Sequence, residues 1–248
     1  MSGNDEFYIG YEPAMPPGIA KRVRVAVAIG AIAVLALAIV ATAAQRHLAA
    51  SSFDFGHQQS WTGRLVRVPA PALLVPTPGG YQWFWLVGRG KHGAASAIGT
   101  APDGWVTVTG ILISRDRWRM IEVGSAFVSP GTADAPAEPP AAEGDGREVT
   151  LSGEIVDSKC FLGVMNPGER TVHRDCAIRC LSGGIPPMLA YITEDGRRDL
   201  AVLVDAQGRQ LTDALHHAVG EPMSARGRLF TINGQPVFQL DLLTGHAR

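Results

Sequence analysis

Two stretches of similar sequence decide the predicted fold: VTGILISRDRWRMIEV at residues 108–123 and ARGRLFTINGQPVFQL at residues 225–240. In each, a strand-like run with a central glycine, Gly110 or Gly227, leads through a polar turn into a second strand-like run. The chain is therefore predicted to contain two related β units.

A second pair of segments supports this repeat. WTGRLVRV at residues 61–68 aligns with LSGEIVDS at residues 151–158, which pairs Gly63 with Gly153. The second unit is longer between its two marker glycines than the first. We interpret the extra length as an insertion into a barrel that the first unit builds without it.

Strand-like runs separated by turn signals fill residues 60–129 and resume at Glu148. In the second unit three strands, a helical segment at residues 210–219 and two more strands give the order of an OB-like barrel, a partly open five-stranded β-barrel. The predicted fold class is mainly β, with one N-terminal transmembrane helix followed by two small OB-like barrels, the second carrying a helical Cys/His insertion.

The predicted domain boundaries follow from these patterns. Residues 130–147 are rich in Pro, Ala, Gly and acidic side chains, which is typical of an extended linker. The predicted parts are a cytoplasmic tail at 1–20, a transmembrane helix at 21–46, a Trp-rich OB-like domain at 55–129, the Pro/Ala linker at 130–147, and an OB-like domain at 148–244 with its Cys3His insertion at 157–185.

Residues 25–44 are uncharged and apolar, and a run of about 20 such residues spans the hydrocarbon core of a bilayer. Lys21, Arg22 and Arg24 precede it, so the positive-inside rule predicts a single-pass protein of the bacterial inner membrane, with a cytoplasmic N-terminus and periplasmic C-terminal domains. A cleaved signal peptide is the alternative, because residues 41–43 (ATA) resemble a cleavage site. Both interpretations export the rest of the chain.

The net charge of −1 predicts no nucleic-acid partner. All five tryptophans lie in the first unit, where they either pack a core or interface or offer a surface to a planar ligand or a protein partner. They are Trp61, Trp83, Trp85, Trp105 and Trp118.

The segment DSKCFLGVMNPGERTVHRDCAIRCLSGG, residues 157–184, contains all three cysteines. A helix is predicted from Thr171 as N-cap to Ser182, with Gly183 ending it, so that a histidine and two cysteines share one face at i, i+3 and i+7. A third cysteine, in a loop of Gly, Asn and Pro, is expected to fold back as a fourth ligand. The predicted metal ligands are Cys160, His173, Cys176 and Cys180, with Zn, Cu or an iron–sulfur centre as the candidate cofactor.

Two other interpretations of the cysteines remain open. Cys160 paired with Cys176 or Cys180 would form a disulfide that ties the insertion to the barrel and leaves one thiol over. A thiol–disulfide redox function is the other, although no Cys-x2-Cys motif is present. The absence of Cys-x2-Cys-His disfavours covalently attached haem.

Catalytic patterns are weak elsewhere in the chain. Lys91 and His92 lie in a Gly-rich segment, GRGKHGAA, that lacks the spacing of a phosphate-binding loop, so it is assigned to an ordinary loop. No Ser/His/Asp order and no paired carboxylates stand out. A non-enzymatic function is therefore favoured.

Two strings contain all three cysteines: VDSKC at residues 156–160 and HRDCAIRCLSGGIPP at residues 173–187. Together they resemble a motif of uncharacterised exported bacterial proteins, D-x2-C followed by H-x2-C-A-x2-C-x2-G, which implies no established activity. The Cys-x3-Cys spacing resembles that of copper centres in oxidase subunits and of copper-delivery proteins. The layout, one membrane span and an exported OB-like barrel, resembles the haem chaperone of cytochrome c maturation.

Together these patterns predict a membrane-anchored periplasmic accessory or electron-transfer subunit that holds a metal or redox centre. Its expected partners are the inner membrane and other membrane or periplasmic protein subunits. The alternatives are a structural docking subunit with a disulfide, or a thiol–disulfide redox protein.

Overall fold

The computed structural model of the chain describes residues 13–45, 51–101, 104–131, 143–211 and 215–245. Its first element, helix α1 at Pro17–Gln45, is long and apolar enough to cross a membrane, which confirms a candidate membrane span or signal sequence near the N-terminus. The helix starts four residues before the predicted residue 21 and includes the end of the predicted tail. Residues 1–12 and 46–50 lie outside the described residues.

Residues 50–248 form a compact unit separate from α1, and its first half is a closed five-stranded barrel. Strand β1 pairs antiparallel with both β2 and β4, and β3 pairs parallel with β5, which gives the strand order β1-β2-β3-β5-β4 of an OB fold. A short helix, α2, precedes β4. The elements are β1 at Ser51–Val66, β2 at Ala72–Thr77, β3 at Gly80–Val87, α2 at Ala95–Ile98, β4 at Gly104–Arg115 and β5 at Trp118–Val128.

The second half repeats this connectivity in a second closed barrel. Its first strand pairs with its second and fourth, and its third strand runs parallel to its fifth. The strands are β6 at Glu143–Asp157, β7 at Pro187–Ile192, β8 at Arg198–Val204, β9 at Pro222–Ile232 and β10 at Gln235–Gly245. The mainly β fold with two OB-like barrels is therefore confirmed.

The Cys/His segment occupies the connection between β6 and β7, residues 158–186, where the first barrel has only residues 67–71. It contains a π-helical turn at Cys160–Val164, a 3₁₀ turn at Thr171–His173 and helix α3 at Arg174–Ser182. The helical insertion is confirmed. The prediction that Cys160 lies in a loop is wrong, because the chain enters the helical turn directly after β6.

The marker glycine of the first strand is required for the same structural reason in both barrels. A β-carbon on Gly63 would lie 2.3 Å from the backbone oxygen of Leu74, and one on Gly153 would lie 2.3 Å from that of Ala190. Each neighbour belongs to the second strand of its barrel, so both sites admit only glycine without a shift of the backbone.

The fourth strands repeat the pattern. A β-carbon on Gly110 would lie 2.3 Å from the Glu122 backbone oxygen, and one on Gly227 would lie 2.1 Å from that of Gln239. The pairing with the fifth strand shifts register next to both glycines, as expected for a bulge that bends a strand around a small barrel. The internal repeat read from the sequence is therefore a repeat of structure.

Several predicted boundaries differ from the structure. Strand β2, ALLVPT, was not predicted, because a proline within a short apolar run is typical of a turn. Strands β1 and β6 start before the predicted residues 55 and 148, since their polar first halves are held by pairing with β4 and β9 rather than by burial.

Two predicted segments are only partly described. Residues 132–142 of the predicted linker lie outside the described residues, and its last five residues belong to β6. Within the predicted helix at 210–219, residues 212–214 lie outside the described residues, residue 215 is 3₁₀-helical and residues 216–218 form a turn. The described residues therefore show a short helical turn at this place, and the extent of the helix stays a prediction.

The two barrels share a core in which the insertion takes part. Trp85 and Met120 of the first barrel and Val202 of the second belong to the same buried cluster as Phe161 and Leu162 of the insertion. Full burial of one such side chain is worth about 1.5–3 kcal/mol relative to exposure. The insertion is thus a structural layer between the barrels.

Gly153→Ala tests the close approach of β6 to β7. Because the added methyl group would meet a backbone oxygen at 2.3 Å, we expect the free energy of unfolding to fall by about 2 kcal/mol, measured by denaturant titration of the full chain in detergent. The matched control is Gly79→Ala, which meets no atom within 4 Å and should leave the midpoint unchanged. Equal midpoints for both variants would contradict the assigned pairing.

Candidate metal centre

The insertion brings the three cysteines together. Cys160 opens the π-helical turn after β6, while Cys176 and Cys180 lie one turn apart on α3. Their Sγ atoms all lie within 4.8 Å of one another, and the Cys160 and Cys180 sulfurs are 4.0 Å apart. Cys160 and Cys180 are buried and Cys176 is half-buried, so the cluster has one side open to solvent.

The 4.0 Å between the Cys160 and Cys180 sulfurs matches the distance between two thiolate ligands of a single ion. With metal–sulfur bonds of about 2.3 Å, two thiolates on one ion are separated by about 3.8 Å in a tetrahedral site and about 4.0 Å in a trigonal one. A disulfide needs its sulfurs about 2.05 Å apart. All three cysteines are free thiols in the structure, at a distance that suits shared coordination better than a disulfide.

Lys91 of the first barrel completes the surroundings of the thiols. Its Nζ donates a hydrogen bond to the Sγ of Cys176 at 2.7 Å and lies 3.7 Å from the Sγ of Cys180. The hydrogen bond to Cys176 raises the pKa of Lys91 above its ordinary value, against the smaller lowering effect of burial. An ammonium group therefore lies against the solvent-facing side of the cluster and compensates negative charge on the sulfurs.

A second lysine fixes the loop that carries Lys91. Lys159 is 2% exposed, and its Nζ lies 2.5 Å from a carboxylate oxygen of Glu122. The same ammonium group donates to the backbone oxygens of Gly88 at 2.9 Å and Gly90 at 2.7 Å. The insertion thereby binds the loop at residues 88–93 of the first barrel.

The other end of this loop meets the end of α3. The backbone N–H of Gly93 donates to the Gly183 oxygen at 2.8 Å. A β-carbon on Gly183 would lie 1.7 Å from the Lys91 oxygen, so this residue must be glycine for the loop to reach the thiols. Gly183 ends the helix as predicted, and it also permits the contact between the barrels.

His173 lies in a different part of the site from the one predicted. Its Nε2 is 3.0 Å from Oδ2 of Asp157, and both side chains are buried. Among the described residues, those placed to bind a metal form two sets that share Cys160: one with Cys176 and Cys180, the other with Asp157 and His173. The helix α3 begins after His173, and the preceding 3₁₀ turn does not continue its 3.6-residue period.

Asp157 orients both parts of the site. Its Oδ1 accepts the backbone N–H of Cys160 at 2.8 Å, which caps the helical turn, while Oδ2 contacts His173. A carboxylate on one ring nitrogen is the usual support of a metal-binding histidine. With Nε2 engaged, His173 has Nδ1 left to offer a metal. Coordination of one metal ion by Cys160, His173, Cys176 and Cys180 thus stays a prediction. The three cysteines are the members of this set whose ligand atoms all lie close together.

A hydrogen bond links the thiols of Cys160 and Cys180. The hydrogen bond between them raises the pKa of Cys160, with burial and the negative charge of Asp157 adding to the effect. The same hydrogen bond lowers the pKa of Cys180. Of these two, Cys180 is therefore the sulfur that more readily becomes a thiolate, with the Cys160 thiol as its donor.

Sequence reasoning missed three contributors to this site. Asp157 carries a local signal, because an aspartate three residues before a helical N–H is typical of an N-cap. Lys91 was assigned to an ordinary loop and Lys159 was not singled out. Their roles come from contacts between residues about 70 to 90 positions apart in the chain, which no local pattern encodes.

No family model, no curated protein and no solved structure matches the chain.

Lys159→Met tests the contact that fixes the Lys91 loop. The change leaves the largely buried Glu122 carboxylate and two backbone oxygens without their donor, so we expect a loss of about 3–5 kcal/mol in the free energy of unfolding. The matched control is Arg147→Met, which removes a solvent-exposed ion pair with Glu194 and should change stability little. A Lys159→Met variant as stable as the control would contradict the assigned contacts.

Proposed function

We propose that the three thiols bind one metal ion, and that the chain is a membrane-anchored accessory subunit whose exported domains carry this ion. The observation that supports the proposal best is the convergence of Cys160, Cys176 and Cys180 within 4.8 Å on a largely buried site. Thiolate ligands favour Zn²⁺ and Cu(I). An iron–sulfur cluster fits less well, because it commonly uses four thiolates.

Charge balance favours the divalent ion. Three thiolates and the Lys91 ammonium carry a net charge of −2, which Zn²⁺ neutralises and Cu(I) leaves at −1. Uncompensated charge is costly in a site with two buried ligands. We therefore propose Zn²⁺ as the resident ion, with the fourth position taken by water, because His173 groups with Asp157 and Cys160 rather than with Cys176 and Cys180.

The proposed location is consistent with metal binding. An exported domain meets an oxidising compartment in which unprotected thiols form disulfides. Coordination would keep all three cysteines reduced there. The anchor is helix α1, whose flanking charges favour a cytoplasmic N-terminus and periplasmic barrels. Attachment to the membrane raises the local concentration of the barrels near membrane-bound partner subunits.

A thiol–disulfide redox function is the second candidate. It is favoured by the position of Cys176, which is half-buried with its Sγ 2.7 Å from the Lys91 ammonium, because reactive cysteines lie in partly exposed, electropositive surroundings. A Cys160–Cys180 disulfide would require the two sulfurs to approach from 4.0 Å by about 2 Å. The two functions differ in what the purified protein contains.

Metal and thiol content decide between them. We expect the full chain, exported and purified in detergent without chelator, to contain about one zinc ion and three free thiols, because three protein ligands hold a zinc ion when water takes the fourth position. Cys176→Ser and Cys180→Ser should each lower the zinc content severalfold. Elemental analysis and thiol titration under denaturing conditions provide the measurements.

The matched control is His57→Ala, which removes an exposed histidine paired with Asp54 and should keep the zinc. Metal-free protein with one free thiol and one disulfide would refute the metal proposal and leave a structural or a redox disulfide in its place. Copper in place of zinc would retain the site and refute the charge-balance argument.

A further inference from the structure

A cavity of about 330 Å³ lies where the turn between β4 and β5 meets the turn between β9 and β10. The two turns are equivalent in the repeat, and each contains a non-glycine residue with positive φ, Asp116 at 50° and Asn233 at 49°. The residues that line the cavity come from both barrels and include Trp83, Trp85, Trp118, Gly234, Gln235 and Pro236.

Aromatic rings dominate the wall from the first barrel. Trp85 and Trp118 are stacked, with ring centroids 5.1 Å apart and an angle of 18° between their planes. The Arg117 guanidinium lies 4.4 Å from the Trp118 ring centroid and is held there by Asp199, at 2.6 Å from each carboxylate oxygen. Trp118 is therefore held in place by contacts with an indole and a cation.

Polar groups without partners also line the cavity. Gln235 is 1% exposed, and among the described residues neither its Oε1 nor its Nε2 has a hydrogen-bond partner. The indole N–H of Trp85 is equally buried and also has no hydrogen-bond partner in the part of the chain that the structure describes. Buried polar atoms are nearly always hydrogen-bonded, and an amide left unpaired is costly. One acceptor and two kinds of donor, on residues that line the cavity, thus lack a partner among the described residues.

We propose that this cavity binds a small planar heteroaromatic molecule with a lactam edge, in which a ring C=O stands beside a ring N–H. Such an edge matches the Gln235 amide, because the ligand N–H donates to Oε1 while Nε2 donates to the ligand C=O. The ring system lies against the tryptophan wall, where aromatic contacts are favourable. The Trp85 N–H donates to a further ring nitrogen or oxygen.

The size of the cavity limits the ligand. Pockets for small molecules range from about 300 to 1,000 Å³, so 330 Å³ is near the lower end. One ring system fits, whereas a dinucleotide does not. Purines such as guanine, pterins and the flavin ring share the lactam edge. This site is distinct from the thiol cluster and does not depend on the metal.

Isothermal titration calorimetry of the full chain in detergent tests the proposal with guanosine, pterin and riboflavin as probes. Saturable one-to-one binding of at least one probe is expected, and the strongest of the three identifies the ligand class. Naphthalene-2-sulfonate, which is planar but has no lactam edge, is expected to bind at least tenfold more weakly.

Gln235→Leu should lower the affinity for the bound probe about tenfold, because two hydrogen bonds are lost. Its unfolding midpoint should stay at or above that of the parent chain, because the variant removes unpaired polar atoms. Gln207→Leu, at an exposed position outside the lining of the cavity, is the matched control and should bind as the parent does. Absence of saturable binding by all three probes, or equal affinity in the two glutamine variants, would overturn the proposal.

Discussion

The ammonium group of Lys159 is the contact on which the arrangement of the site depends. It lies in the core with Glu122 of the first barrel and with two backbone oxygens of the loop at residues 88–93. A lysine is rarely so buried, and its charge is tolerated only because every donor direction has a partner. This contact attaches the insertion of one barrel to a loop of the other.

The consequence for the thiols is that both barrels build their environment. The second barrel supplies the sulfurs through β6 and α3, and the first supplies the Lys91 ammonium. In an OB fold the connection between the first two strands commonly carries the binding function, and here it has grown into the layer between two barrels. Neither barrel alone would place a cation beside three thiols.

The sequence predicts much of the fold because the repeat has a local cause. Gly63 and Gly153 stand where an added β-carbon would lie 2.3 Å from a carbonyl oxygen of the neighbouring strand, and such constraints leave the same residue in both copies. Strand β2 escaped prediction because Pro76 interrupts a short run. The cysteine spacing predicted the contact between sulfurs, while the position of His173 depended on where α3 begins.

The central claim is that the three sulfurs coordinate one ion. X-ray absorption spectroscopy at the zinc edge of the purified full chain tests it most directly. The account predicts a first coordination shell of three sulfurs at about 2.3 Å and one nitrogen or oxygen at about 2.0–2.1 Å. A shell made only of nitrogen and oxygen atoms would contradict it, because the ion would then be bound away from Cys160, Cys176 and Cys180.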